Sequence, residues 1–168
     1  MFIDETSLNT KLARDHGRCP MGQPCTSAIP HGHWQSSTFI AALRHESVAA
    51  PFLIEGPVDA EVFTTYLQHV LSPQLRAGDT VILDNLSTHK IQDVTRILSP
   101  RGVGVRYLPP YSPDLNPIEL AFAKLKAHLR QAAARTRQDL HSAVASALNS
   151  FSAQHCQGFF RHAQYASI

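Results

Sequence analysis

Three acidic residues occupy positions at which carboxylates can do chemistry. Asp4 follows a short apolar run at the start of the chain, Asp84 follows the apolar run TVIL, and Glu119 lies in the first turn of a predicted helix. Carboxylates that converge repel one another, so such a cluster needs a cation, and oxygen ligands select hard ions such as Mg²⁺ or Mn²⁺. Two such ions can activate an attacking oxygen and stabilise a leaving oxygen in phosphoryl displacement.

Each acid also has a structural explanation, and the residues alone leave both readings open. Asp4 fits an acid at a strand end, and Asp84 followed by Asn85 is ordinary turn chemistry. Glu119 stands three residues after Asn116, which is the spacing of a helix capping box.

The order of the predicted elements favours an α/β fold. A first strand ends at Asp4, residues 34–54 read as a hairpin, and helices then alternate with strands that include residues 80–83 and 103–108. Pro51 within the second hairpin strand predicts an edge position or a bend. This order predicts a mixed β-sheet flanked by α-helices, in which parallel neighbouring strands would bring Asp4 and Asp84 to one edge.

A proline-rich loop, PPYSPDLNP, precedes the helix that carries Glu119. Asn116 is a favoured N-cap residue and Pro117 suits the first helical position. The prolines restrict how this helix approaches the sheet. A final long helix is predicted around residues 140–151.

Basic residues follow Glu119 with no acid among them up to Arg137. We predict that Lys124, Lys126 and Arg130 contact DNA phosphates. The alternative is a solvated helix face.

A second possible metal site, for zinc, lies earlier in the chain. Cys19, Cys25, His31 and His33 are potential ligands, but the Cys-x5-Cys and His-x-His spacings fit no standard zinc finger, so zinc is disfavoured.

The bulk composition is that of a single ordinary domain. The chain has 168 residues, 43% of them hydrophobic, a formal net charge of +2 and three cysteines, which argues against a disulfide framework. It shows no signal peptide and no run of about 18 apolar residues, so we expect a cytoplasmic, nucleoid-associated protein without a membrane partner.

Four segments carry a family resemblance: FIDET from Phe2, the run PHGHWQSSTFIAALRH from Pro30, LDNLSTHK from Leu83, and LPPYSPDLNPIELAFAKLK from Leu108. They closely resemble the insertion-sequence transposases of the mariner superfamily, which are DDE superfamily endonucleases. The 34 residues between Asp84 and Glu119 are similar to the spacing of that family's second and third acids. The resemblance extends from Met1 to about Tyr165.

The resemblance implies a ribonuclease-H-like fold and a two-ion Mg²⁺ or Mn²⁺ site with Asp4, Asp84 and Glu119 as catalytic ligands. Asn85 and His89 match the residues that follow the family's second acid, and we expect them around the ligands together with Asn116. His89 fits a proton shuttle equally as well as a solvent-facing residue. The implied activity is cleavage at transposon ends and strand transfer into target double-stranded DNA.

Two departures from the family pattern matter. Phe122 stands where the family often has tryptophan, a mild exchange. Only three residues precede Asp4, so we expect residues 1–168 to form the catalytic domain alone, without the N-terminal helix-turn-helix region. A homodimer or a partner chain that carries this region would then complete the enzyme. The alternative is a truncated, non-catalytic remnant that only binds DNA or transposase.

Overall fold

A five-stranded mixed sheet forms the centre of the protein. The computed structural model describes residues 1–14, 16–26, 30, 34–84 and 91–165, with backbone only at residues 91–93. The strand order is β3-β2-β1-β4-β5, with β1 central. Neighbours β1, β2 and β3 pair antiparallel, whereas β1, β4 and β5 pair parallel. The strands are β1 (Phe2–Asn9), β2 (Ser36–Leu43), β3 (Val48–Glu55), β4 (Thr80–Leu83) and β5 (Gly104–Tyr107).

Helices follow the hairpin and alternate with the parallel strands, as the sequence predicts. Within the described ranges they are α1 (Ala60–Tyr66), α2 (Ile91–Leu98), α3 (Pro117–Ala132), α4 (Arg137–Asn149) and α5 (Ala153–His162). α1 continues through a π-helical turn, Leu67–Leu71, into a 3-10 turn, Ser72–Gln74. Two more 3-10 turns are Ser99–Arg101 and Pro113–Leu115.

Successive residues of β1 point to opposite faces and build two apolar cores. Phe2 packs into a core with α3, α4 and α5, through residues such as Phe122 and Leu140. Ile3 packs into a second core with α1 and α2, which includes Tyr66. The sheet is therefore covered on both faces, which confirms the predicted mixed sheet with flanking helices.

The hairpin behaves as Pro51 predicts. Strand β3 lies at the sheet edge, and its pairing with β2 shifts register between Ile40 and Ala42. Ala50 at this irregularity has a φ of 49°. Its backbone is held on both sides, by the Tyr66 hydroxyl at 3.0 Å and by the Gln74 side chain at 3.0 Å.

One prediction about element bounds is wrong, and one helix was not predicted. Asp4 does not end the first strand, because antiparallel pairing with β2 continues from Phe2 to Asn9 and supports polar positions as well as apolar ones. The helix predicted around residues 140–151 is α4, and a further helix, α5, begins beyond it at Ser152 through a capping box with His155. Helix periodicity located α4 but missed this serine cap.

Among the described residues, no helix is both long enough and apolar enough to cross a membrane.

Candidate active site

The parallel pairing of β1 with β4 places two acids side by side. Phe2 pairs with Ile82 and Ile3 with Leu83, and the next residues in register are Asp4 and Asp84. β4 ends at Leu83, so Asp84 emerges from the carboxyl edge of the strand. The two strands are neighbours and parallel, which confirms the condition on which the predicted cluster depends.

The proline loop and helix α3 bring the third acid to the same place. Leu108 donates its backbone N–H to the Leu83 carbonyl at 2.8 Å, which ties the start of the loop to the end of β4. α3 packs on the sheet through its buried stripe, and Glu119 in its first turn stays exposed. Asp4, Asp84 and Glu119 line one cavity of about 310 Å³, together with Asn116 and residues 108–113.

Asn116 links helix α3 directly to strand β1. Its Nδ2 donates a hydrogen bond of 2.8 Å to Oδ2 of Asp4, and both residues are only 5% exposed. Asn116 is the N-cap of α3, but its side chain makes no capping hydrogen bond. The capping-box explanation is therefore wrong for this side chain, because its amide bonds to Asp4 instead of the helix backbone.

The carboxylate of Asp4 accepts two hydrogen bonds but lies in an environment that disfavours its negative charge. The Glu5 backbone N–H donates to its Oδ1 at 2.8 Å, opposite the bond from Asn116. Burial raises the pKa of Asp4 to about 7, the negative charges of Asp84, Glu5 and Glu119 add to the rise, and the Glu5 backbone bond opposes it. A buried carboxylate beside two others is an environment that a bound cation would stabilise.

The residue types around the cavity fit a hard divalent cation. Three carboxylates from three elements offer oxygen ligands, and Oδ1 of Asn116 is buried with no hydrogen-bond partner among the residues that the structure describes. In the part of the chain that the structure describes, no three His, Cys, Asp or Glu side chains lie close enough to hold a metal ion as they stand. The fold thus gathers the acids around one cavity without drawing them into a tight ligand set.

Several predicted residues fall outside the described ranges. Asn85 and His89 lie between residues 84 and 91, and His31 and His33 lie between residues 30 and 34. Their expected roles stay predictions. Cys19 and Cys25 are exposed free cysteines.

The structure separates the basic residues that the sequence groups together. Lys124 faces the α4–α5 junction, with Nζ at 2.7 Å from Nδ1 of His155 and 4.9 Å from the centre of the Phe151 ring. Burial lowers its pKa. Lys124 is thus engaged at the α4–α5 junction, and its role in DNA binding stays a prediction.

The remaining basic residues lie further along α3 and just beyond it, and their role in DNA binding stays a prediction. Lys126 and Arg130 are half-buried, and Lys126 lies two helical turns from Glu119. Arg135 donates to the carbonyls of Thr10 and Leu12, and Arg137 pairs with Glu55.

A contact from Tyr165 supports the proline loop and was not predicted from the sequence. The Tyr165 hydroxyl donates to the Leu115 carbonyl at 2.9 Å, and its ring meets Phe2 edge-on at 4.9 Å between centres. No spacing signal could have identified this contact, since 50 residues separate Tyr165 from Leu115.

Residues 1–141 match the DDE superfamily endonucleases, and the chain belongs to that family. This finding confirms the resemblance and identifies an endonuclease domain.

Solved structures show the same fold. The Mos1 transposase paired-end complex with the left transposon end has a TM-score of 0.77 at 18% identity, over 95% of this chain and 50% of that one. The catalytic domain of Mos1 mariner transposase has a TM-score of 0.65 at 15% identity, over 98% of this chain and 78% of that one. The chain spans about half the length of the Mos1 chains in DNA complexes. No curated protein matches this chain.

Proposed function

We propose that this chain is the catalytic domain of a DNA transposase, which cuts phosphodiesters at transposon ends and joins the freed ends to target DNA. One observation carries the proposal: acids from β1, β4 and α3 line a single cavity at the carboxyl edge of the parallel strands. Mos1, which shares the fold, has been solved with a transposon end and as a strand transfer complex.

Asp4, Asp84 and Glu119 are the residues that would hold divalent cations. Two Mg²⁺ or Mn²⁺ ions bound there would supply Lewis-acid activation of the attacking oxygen and stabilisation of the leaving one. Mos1 paired-end complexes have been solved with each of these metals. The all-oxygen ligand set of this chain supports the same choice.

The reaction is two in-line displacements at phosphorus. In the first, a water oxygen bonds to phosphorus, the bond from phosphorus to the 3′ oxygen breaks, and the 3′ oxygen takes up a proton. In the second, this 3′ hydroxyl loses its proton, bonds to a target phosphorus and displaces the target's own 3′ oxygen. The carboxylates would act as ligands to the bound cations throughout, while Asn116 holds Asp4 in one orientation.

We propose that the DNA strand lies between the walls of this cavity. Leu108 and the prolines that follow it form one side, and the exposed Glu119 side chain stands at the first turn of α3 on the other. Lys126 and Arg130, further along α3, are placed to meet phosphates of double-stranded DNA. We further propose that the enzyme works on the nucleoid as a homodimer or with a chain that carries a helix-turn-helix region.

Metal-dependent nicking of a supercoiled plasmid tests the proposal. The wild type with Mn²⁺ should nick, EDTA should stop it, and Asp84→Ala or Glu119→Ala should slow it by about three orders of magnitude. Glu61→Ala is the matched control, because Glu61 is an exposed acid on α1, which packs on the opposite face of the sheet.

Nicking that persists in both acid variants would exclude this cavity as the active site. A folded wild type that binds DNA but does not nick it, alone or with a helix-turn-helix partner, would favour the non-catalytic remnant instead.

A further inference from the structure

A second open groove lies between helices α3 and α5, next to the candidate active site. Its volume is about 510 Å³, and its lining includes Leu120 on α3 and His155, Gly158, Phe159, Arg161 and His162 on α5. Leu120 is the residue after Glu119, so the groove and the acid cavity are both lined by residues near the start of α3.

Nothing within the described fold requires a glycine at position 158. It lies within α5, where glycine is less favourable than alanine because it loses more backbone freedom on folding. Its φ is not in the left-handed region, and a Cβ built on it would meet no atom within 4 Å. Neither backbone conformation nor internal packing therefore requires glycine, whereas a partner that approaches the helix closely from the groove would.

The groove wall is basic. Helix α5, with the sequence AQHCQGFFRH, contains no Asp or Glu. Arg161 and His162 follow Gly158 at spacings of three and four residues, which places them on the same helix face. Among the described residues, no partner bonds to the exposed guanidinium of Arg161 or to the exposed ring of His162.

The groove also has apolar surface. Leu120 and Phe159 are both only partly buried where they line it. A cationic rim beside apolar walls is complementary to a sugar–phosphate backbone, which presents anionic phosphates and apolar sugar faces. Because the proposed function already brings DNA to the start of α3, a DNA backbone is the occupant that this rim and these walls favour over an acidic protein segment.

We propose that this groove holds the sugar–phosphate backbone of the DNA strand that continues from the scissile phosphate. Gly158 lets the strand approach the helix backbone, and Arg161 neutralises one phosphate. The inference rests on the proposed function, since it assigns a path to the same substrate beyond the acids.

DNA binding measured in EDTA tests the groove separately from catalysis. The probe is a fluorescent 30-base-pair duplex of arbitrary sequence, titrated at several salt concentrations, because phosphate contacts do not read sequence. Arg161→Gln should reduce the slope of log affinity against log salt by about 1. Arg76→Gln is the matched control, with an exposed arginine at the opposite end of β4.

Gly158→Ala gives two opposite effects if the groove is a binding surface. The melting temperature should rise by about 2 °C, because alanine favours the helix, while DNA affinity falls several-fold because the added methyl group obstructs the strand. Ser146→Ala, on the exposed face of α4, should leave binding unchanged.

An unchanged salt slope in Arg161→Gln, or unchanged affinity in Gly158→Ala, would overturn the groove proposal. Mn²⁺-dependent nicking that still requires Asp84 would in that case leave the proposed function standing. If nicking no longer required Asp84 while Arg161→Gln and Gly158→Ala still weakened DNA binding, the groove would be a DNA-binding surface and the proposed catalytic function would be wrong.

Discussion

A single buried hydrogen bond organises the acid cavity. Asn116 donates to Asp4 across 112 residues of sequence, from the start of α3 to the middle strand of the sheet. The side chain of an N-cap asparagine usually accepts a hydrogen bond from the backbone of its own helix. The side chain of Asn116 instead donates to the Asp4 carboxylate. The orientation of the Asp4 carboxylate thereby depends on where α3 begins.

Asn116→Ala should weaken both stability and catalysis. It removes a bond to a buried carboxylate, and we expect a loss of about 1–3 kcal/mol in the free energy of unfolding. The nicking rate should fall by about 10–100-fold, the usual effect of removing a group that orients a metal ligand, and more Mn²⁺ should be needed for half-maximal rate.

The control for this variant is Asn149→Ala, at the exposed end of α4. A variant of Asn116 that loses stability yet keeps the wild-type rate and Mn²⁺ dependence would show that the bond only supports the fold.

Asp4→Asn should abolish nicking and yet stabilise the protein in the absence of metal. An ionised carboxylate that is 5% exposed and faces two other acids is costly, and the amide removes that charge. In EDTA at about pH 8, we expect the melting temperature to rise by a few degrees. Asp114→Asn, an exposed acid on the proline loop, should leave it unchanged. A lower melting temperature in Asp4→Asn would show that the charge is stabilised by the protein alone.

Among the elements, the parallel strands β1 and β4 position Asp4 and Asp84. An ion pair stabilises the opposite end of β4. Arg44, just after β2, contacts both carboxylate oxygens of Asp79, at 3.1 and 2.6 Å, and donates to the Gln74 carbonyl at 2.9 Å. Asp79 lies just before β4, so this contact ties the antiparallel half of the sheet to the parallel half.

Arg44→Gln should destabilise the protein in a pH-dependent way. The hydrogen bond and charge of Arg44 lower the pKa of Asp79, so its contribution is present above the unfolded pKa of about 4 and is lost as pH falls through the folded pKa. Urea unfolding near pH 7 should show a free energy of unfolding about 1 kcal/mol lower than that of the wild type, because a bidentate ion pair is stronger than an average exposed one. Below the lowered pKa of folded Asp79, the difference should shrink.

The comparison variant is Arg76→Gln, whose exposed side chain lies in the same turn. If Arg44→Gln lost as much stability in acid as at neutral pH, packing of the arginine stem, not its charge, would be the cause.

At the scale of the molecule, the sheet with helices on both faces presents the acids and the α3–α5 groove near one another. The matched structures of Mos1 in DNA complexes are about twice as long as this chain. The fold of this chain is thus shared with about half of each of those chains.

A helix-turn-helix partner from the same mobile element should increase cleavage of linear DNA that carries the element's end. We expect little end-specific cutting by this chain alone and at least tenfold more in the mixture, because recognition raises the local concentration of the scissile bond. Gel analysis of an end-labelled fragment measures the effect, with a fragment of unrelated sequence as the control. Equal cutting of both fragments in the mixture would exclude recognition by such a partner.

The sequence by itself located most of the elements and the three acids. Apolar runs located β2, β3, β4 and β5, Pro51 predicted the edge strand, and Asn116-Pro117 marked the start of α3. The motif around Glu119 was sufficient to indicate the family. These features are local, since strand patterning, capping and proline restrictions act over a few residues.

Only the tertiary structure decided how those parts meet. The length of β1 depends on its pairing with β2, and the Asn116 bond depends on α3 packing against β1. Lys124 is engaged by His155 because α5 covers that side of α3. Each of these contacts joins residues distant in sequence, so no local pattern encodes them, and the packing of the two cores alone brings the groups together.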